Sequence, residues 1–473
     1  MQRWVTKTLY QDLASSRYDA WFLVALLVVE VVLASAIVRN VSYTEIDWIA
    51  YMQEVATWWD AGEYDYRNIR GDTGPLVYPA GFLYLFQCLR WMTGGSVPAA
   101  QCIFVIFYVV YQGVVLLIYQ HGLLWQIRRQ QQPQQQPQNV VHAVWLIRVA
   151  MGLLCCSKRL HSIFLLRLFN DGPTMLLLYI AMYLFMQQQQ QQQQQRWWNA
   201  GCVVFSLAVS LKMNVLLFAP GLLLLLLQQG PDLRTVIIQR LGMGCALPQL
   251  ILGFPFLLRF PISYLRKAFE LDRVFFYQWT VNWKFLDAHV FVSKPWAVVL
   301  LVGHLGMLTY VCVQWLDRAK QSTGRRLWLL TSAGKNEEEG DKNDTDNKSN
   351  KTLSPAYIAH TMMVSNFVGI AFARTLHYQF YSWYVSAVPF LLLAHAKAPQ
   401  SLASLIQNIV LRLLIPMGAM EVAFLTFPAT PASSAMLQIA HLFTLSHVVR
   451  PIEPILVVAK DAADDDVVKV KGS

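Results

Sequence analysis

Apolar residues in this chain fall into long blocks, not into the alternating or 3.6-residue stripes of a soluble fold. A bilayer core takes about 20 apolar residues per helix. Roughly a dozen blocks reach or approach that length. They lie at 21–38, 98–120, 141–157, 172–186, 197–211, 214–229, 236–258, 296–315, 356–373, 380–396, 403–427 and 434–457. The stretch 76–92 is apolar but short and proline-led, so it reads as an interfacial or re-entrant helix or as a further span. Trp21 to Val38 contains Ala34-Ser35-Ala36, which imitates a signal-peptidase site. The run outlasts an ordinary signal core and leads into many further spans, so it reads as a retained anchor. The pattern predicts an all-α polytopic membrane protein.

Polar segments divide these blocks. Residues 1–20 form a polar tail, 21–457 the membrane domain and 458–473 a second tail. Within the domain, 39–78 is a long loop. The Gln-rich stretches 130–138 and 187–195 and the charged stretch 332–354 lack the apolar content to fold, and are expected to be disordered. A cytoplasmic N-terminus puts all three on the cytoplasmic side, together with Arg128, Arg129, Arg196, Arg318, Lys320, Arg325 and Arg326, as the positive-inside rule asks. Both tails are then cytoplasmic as well. The triplets at Asn343, Asn347 and Asn350 would stay unglycosylated there.

Composition sharpens the picture. The chain has 473 residues, 55% hydrophobic and only 14% charged, against about a quarter charged in soluble domains. Mean hydropathy is +0.37. The net charge of +10 fits span-flanking basic residues facing anionic lipid. It does not point to nucleic acid, because no basic block with interleaved aromatics stands outside the spans. Seven cysteines without a C-x-x-C pair argue against a disulfide framework or a zinc site.

The opposite face departs from the charge rule. It receives 39–78, 158–171, 259–295 and 374–383, which carry Lys158, Arg159, Arg167, Arg266, Lys267, Arg273 and Arg374 among other cations. Some of these can snorkel from interfacial helices. Arg374, with no acidic residue nearby in sequence, points to a bound anion, and its spacing from His377 would put both on one helical face.

In the first loop, Asp47, Tyr51 and Glu54 recur at i, i+4 and i+7, predicting one polar face on a short amphipathic surface helix. Thr44-x-x-Asp47 also fits a capping box, so Asp47 reads either as a cap or as a catalytic carboxylate. Glu45 reads either as a second acid or as a complement to the helix dipole. The Gly71-Asp72-Thr73-Gly74-Pro75 stretch demands tight turns, and there Asp72 and Tyr78 are candidates to bond sugar hydroxyls. Asn170 and Asp171 fit a helix N-cap or a sugar contact. The run from Arg273 to Lys284, with Trp279, Asn282 and Trp283, fits an aromatic belt or a stacking surface for sugar rings. No Rossmann fingerprint, P-loop or HExxH occurs. The Asp344-Thr-Asp346 triplet lies in the charged loop, so a sugar donor would have to arrive through the membrane.

Five segments together carry a resemblance: Glu45-Ile-Asp-Trp with Tyr51, Gly71-Asp-Thr-Gly-Pro-Leu-Val-Tyr-Pro-Ala-Gly81, Arg167-Leu-Phe-Asn-Asp171, Trp279-Thr-Val-Asn-Trp283, and Ala373-Arg-Thr-Leu-His-Tyr-Gln-Phe-Tyr381. They resemble, in order, the dolichyl-phosphate-mannose-dependent α-1,3-mannosyltransferases of N-glycan precursor assembly. The resemblance implies the multi-span GT-C glycosyltransferase architecture, with the first loop lumenal, in the endoplasmic-reticulum membrane. It implies dolichyl-phosphate mannose as donor and the five-mannose, two-GlcNAc glycan on dolichyl pyrophosphate as acceptor. It also implies transfer with inversion. By position it makes Asp47 the general base, with Glu45 as alternative. Such a transfer needs one proton acceptor and positive charge on the leaving phosphate. Arg374 and His377 are the expected phosphate clamp, with Lys212, Arg167 and Arg273 behind them. Tyr51, Asp72, Tyr78, Asn170, Asp171, Trp279, Asn282 and Trp283 are expected to contact sugar. No cofactor and no essential metal are expected. The competing readings are a lipid-donor glycosyltransferase of different linkage, and a lipid or sugar transporter, for which no internal repeat is visible.

Overall fold

The computed structural model describes residues 15–129, 137–187, 191–229, 232–269, 276–323, 351–449, 452 and 457–458. Helices dominate. They are α1 (Asp19–Asn40), α2 (Trp48–Trp59), α3 (Ala80–Thr93), α4 (Val97–Tyr119), α5 (Pro137–Leu154), α6 (Lys158–His161), α7 (Asp171–Phe185) and α8 (Gln191–Leu211). There follow α9 (Ala219–Gln229), α10 (Leu247–Arg259), α11 (Pro261–Ala268), α12 (Lys294–Thr323), α13 (Pro355–Ala371), α14 (Val388–Ala394), α15 (Ile415–Leu425) and α16 (Pro431–Val448). Among the described residues, six helical stretches are long and apolar enough to span a bilayer: Ser16–Asn40, Val97–Arg128, Gln138–Leu166, Thr235–Arg259, Lys294–Arg318 and Leu402–Leu425. The protein is an all-α multi-pass membrane protein.

The other apolar blocks are shorter or broken for identifiable reasons. α13 has 17 residues, and all of them are buried. A helix apolar on every side belongs inside a bundle, and α7, α9, α12, α14 and α16 surround this one. The block 380–396 is not one helix. Tyr378–Trp383 is a 3-10 turn, and a regular helix resumes only at Val388–Ala394. The stretch 76–92 becomes α3. The run 187–195 departs from its reading as loop, because Gln191 already opens α8; glutamine is a good helix former and here continues into an apolar face. Likewise 137–138 begins α5. Most of 332–354 and of the C-terminal tail lies outside the described residues.

Two cores result. The bundle core mixes aliphatic side chains with rings such as Tyr108, Tyr179 and Phe367, and is continuous through α4, α5, α7, α8, α9, α13 and α14. A second core, rich in aromatic rings, lies under α2, α3 and α11, with Trp48, Tyr51, Trp58, Tyr66, Phe82, Phe86, Phe256 and Tyr264 buried together. This cap seats α2 on the end of the bundle. Its apolar face is fixed by Tyr51 edge-on to Phe86 at 4.8 Å and by Trp48 tilted on Phe86 at 6.1 Å, contacts that orient as well as bury.

Candidate active site

Asp47 stands immediately before α2 and does not cap it. The cap comes from Glu45, whose Oε1 accepts the Ile49 amide at 3.1 Å while Oε2 accepts the Tyr43 hydroxyl at 2.7 Å. The capping-box reading of Thr44 and Asp47 is therefore corrected: the helix opens at Trp48, too late for Thr44. Glu45, the alternative base, is committed to its helix. Asp47 keeps its carboxylate for other use.

The glycine-rich hairpin fixes that carboxylate. Arg70–Gly71 pairs antiparallel with Gly74–Pro75. Gly71 lies so close to α2 that a Cβ there would sit 2.6 Å from the Ala50 carbonyl oxygen. Gly74 has φ +142°, a conformation side chains resist. Asp72 clasps Gln53 of α2, accepting from Nε2 and donating its own amide to Oε1, each at 2.8 Å. Thr73 hydrogen-bonds Asp47, and the Tyr51 hydroxyl donates to Asp47 Oδ2 at 3.3 Å. Asp72 thus holds the hairpin and does not line the cavity; Thr73 does. Burial pushes the Asp47 carboxyl above its ordinary range, while Lys212 and the bonds from Thr73 and Tyr51 pull it back down.

Asp47 opens onto a cavity of about 1420 Å³. Its lining draws on 41–47 and 73–78, on 156–169, on 266–279, on 377–379 and on 424–427. The four loops that the sequence assigns to one side of the membrane therefore meet at one chamber. Tyr51, Tyr78, Arg167, Trp279 and His377 all line it. So do Glu54, Lys158, Arg159 and His161, whose part in the site the sequence did not single out.

The cationic wall is built on α6 and the turn after it. Arg159 is only 8% exposed. Its backbone amide donates to Glu421 Oε1 at 2.6 Å and its Nε to the Tyr378 carbonyl at 3.2 Å. The Ser157 hydroxyl donates to Glu421 at 2.8 Å, and Tyr381 bonds the same carboxylate. Arg167 bonds Ser162. Leu168, fully buried, takes φ +49°, a left-handed turn that costs a non-glycine residue about 1 kcal/mol. That turn leaves Arg167 on the cavity wall and Asn170–Asp171 beneath it.

Asn170, Asp171 and Lys212 form a buried unit. Lys212 Nζ donates to Asp171 Oδ2 at 2.8 Å and to Asn170 Oδ1 at 3.0 Å. The Trp383 indole donates to the other Asp171 oxygen. The ammonium lies 5.4 to 5.8 Å from the ring centroids of Tyr78, Phe380 and Trp383. None of these three polar residues lines the cavity. As sugar contacts Asn170 and Asp171 are corrected: both are fully buried and committed to Lys212. Lys212 in turn is engaged by them rather than facing the cavity, and it acts on Asp47 through its charge.

Three further expectations are revised. Arg374 donates to the Val292 carbonyl at 3.0 Å and does not line the cavity. Residues 373–377 are not helical, so Arg374 and His377 share no helical face. Asn282 and Trp283 shape this segment: both donate to the Ala373 carbonyl at 2.9 Å, and Asn282 Oδ1 accepts the Leu376 amide at 2.8 Å. Neither lines the cavity. Trp279 does, stacked on Phe427 with centroids 6.2 Å apart. Arg273 lies outside the described residues.

Fold and cavity together define a multi-pass membrane protein whose aromatic cap holds a carboxylate over a basic chamber at one end of the helical bundle. The sequence pattern of the ALG3 protein family matches residues 24–434, and the chain belongs to that family. Among curated relatives, the Arabidopsis thaliana protein named Dol-P-Man:Man(5)GlcNAc(2)-PP-Dol alpha-1,3-mannosyltransferase is 40% identical over 428 residues, 90% of this chain and 86% of that one. The mouse protein of the same name is 40% identical over 92% of this chain and 88% of its own. The crystal structure of ArnT from Cupriavidus metallidurans bound to undecaprenyl phosphate aligns with 92% of this chain and 77% of that chain, at 13% identity and a TM-score of 0.44.

Proposed function

We propose that this protein transfers mannose from dolichyl-phosphate mannose to the Man5GlcNAc2 glycan on dolichyl pyrophosphate, forming an α-1,3 linkage. It does so as a GT-C glycosyltransferase at the lumenal face of the endoplasmic-reticulum membrane. One observation carries the mechanistic reading: a carboxylate that caps nothing faces the cavity whose other wall bears Arg159 and Arg167.

The chemistry follows from that opposition. Asp47 takes the proton from the attacking hydroxyl of the acceptor mannose. The freed oxygen forms a bond to C1 of the donor sugar, from the face opposite the phosphate. The C1–O bond to phosphate breaks with inversion, and its electron pair leaves on dolichyl phosphate. Arg159, Arg167 and Lys158 meet that charge, fixed in advance and partly desolvated, where such groups lower a barrier most. His377 lines the same chamber. Lys212 favours the Asp47 anion through its charge, against the effect of burial, without bonding to it. The flank of the cavity formed by Leu33, Ile37 and Val41 of α1 and by Phe424 and Leu425 of α15 is apolar and suits a prenyl chain entering from the bilayer. Tyr78 and Trp279 offer ring faces to sugar.

Purified protein incubated with both lipid substrates should yield a product heavier by one hexose, released by an α-1,3-specific mannosidase. A product of another linkage, or none, contradicts the assignment.

A further inference from the structure

Two acids line the cavity, Asp47 immediately before α2 and Glu54 within it, and the mechanism uses only the first. Glu54 follows Asp47 by about two helical turns and lines the same chamber. It is 4% exposed. One of its carboxyl oxygens, Oε2, is buried and meets no hydrogen-bond donor among the described residues. Glu54 makes no ion pair there. A buried polar atom without a partner is expensive in any fold, and packing gives no reason for a carboxyl here.

The surroundings of the two acids differ in a way that assigns them different states. Burial raises both carboxyls, but at Asp47 the charge of Lys212 and the hydrogen bonds from Thr73 and Tyr51 pull back toward the anion. Glu54 has no such help; burial first, and the Asp47 charge second, push it well above the ordinary carboxylate range. Two neighbouring carboxyls whose environments pull them apart divide into one anion and one acid. The acid can donate a hydrogen bond as well as accept one. The groups near it are Asp47, Tyr66 and Tyr78, with Tyr51 between it and Asp47 on the helix. None is cationic.

We propose that Glu54 is a substrate-binding group of this active site, its carboxylic acid hydrogen-bonding a hydroxyl of the hexose held over Asp47. The inference rests on the glycosyl-transfer reading above and adds a second recognition point to it. A sugar hydroxyl in the chamber that Glu54 lines suits this group, since it can accept from and donate to the same carboxyl.

Glu54→Gln and Glu54→Leu test this, with initial rates measured against dolichyl-phosphate mannose and the Man5GlcNAc2 lipid in turn. Gln keeps a donor and an acceptor, so kcat/KM should stay within about 3-fold of the parent. Leu keeps only the volume, and kcat/KM for the substrate concerned should fall about 10-fold or more. Its melting midpoint should hold or rise, because removing an unsatisfied buried group is neutral or stabilising. Three results overturn the proposal: a Leu protein as active as the parent, a Gln protein as impaired as the Leu protein, or a Leu protein whose midpoint falls along with its activity. A parent protein that moves no mannose strikes the functional reading itself; a parent that does, beside an unimpaired Leu variant, strikes only this inference.

Discussion

Two aspartates at different places on the bundle show how one residue type serves two ends. Asp19, at the start of α1, accepts from Arg128 Nε at 3.0 Å, from Arg128 Nη2 at 2.8 Å and from Arg148 Nη2 at 2.8 Å. Both its oxygens are met by guanidinium groups, and Arg148 is only 2% exposed. Asp47 has two hydroxyl partners, an ammonium acting through space, and open cavity. A carboxylate saturated by planar cations locks helices together. A carboxylate left with lone pairs facing a chamber is available to take a proton. The lesson is that unmet hydrogen-bonding capacity, more than charge or burial, separates a site from a strut.

The contrast can be broken by removing each charge in turn. Asp47→Asn should lower steady-state turnover by about 10³-fold, in the range of a lost general base. Asp19→Asn should leave turnover per folded molecule within about 2-fold, since it meets no substrate; initial rates normalised to folded protein decide this. On the opposite wall, Arg167→Ala should cost about 10²-fold in kcat, as for one missing contact to developing charge. Stability should reverse the ranking. Asp19→Asn removes the carboxylate charge from the buried ion pair with Arg148 and should destabilise by about 3 kcal/mol, read from melting in detergent, whereas Asp47→Asn should leave the midpoint nearly unchanged. Arg374→Ala should be the mildest, within about 3-fold in kcat/KM, because the guanidinium bonds a carbonyl outside the cavity.

Acidity sharpens the same point. The anion of Asp47 is the working form, and burial raises its pKa above the ordinary carboxylate value. Activity should therefore be full at neutral pH and fall on acidification while a free aspartate would still be ionised. A pH profile of kcat/KM that stays flat down to the ordinary carboxylate range would contradict this.

Much of the architecture was legible in the chain because lipid demands long apolar blocks, and these are visible without partners. The grouping of the loops was legible too: residues of 39–78, 158–171, 259–295 and 374–383 line one chamber. Asp47 was singled out by its motif and lines the cavity, while local pattern misread its neighbours. Thr44-x-x-Asp47 fits a cap on paper, yet the cap is Glu45, because the helix starts at Trp48. Arg374 looked unpaired in sequence; its partner is a carbonyl 82 residues away. Asn170 and Asp171 fitted a helix cap or a sugar contact in sequence, but both are buried and bonded to Lys212, some 40 residues on. Arg159 lay unremarked among other loop cations, since only the fold brings Glu421 and Tyr378 to hold it. Contacts of that range leave no trace in spacing.

Binding and chemistry can be separated on one preparation of the Asp47→Asn protein. Donor affinity is measured first, then transfer in a single turnover with both lipids saturating. The account expects dolichyl-phosphate mannose to bind as it does to the parent and mannose to stay on the donor. Transfer at the parental rate would contradict it.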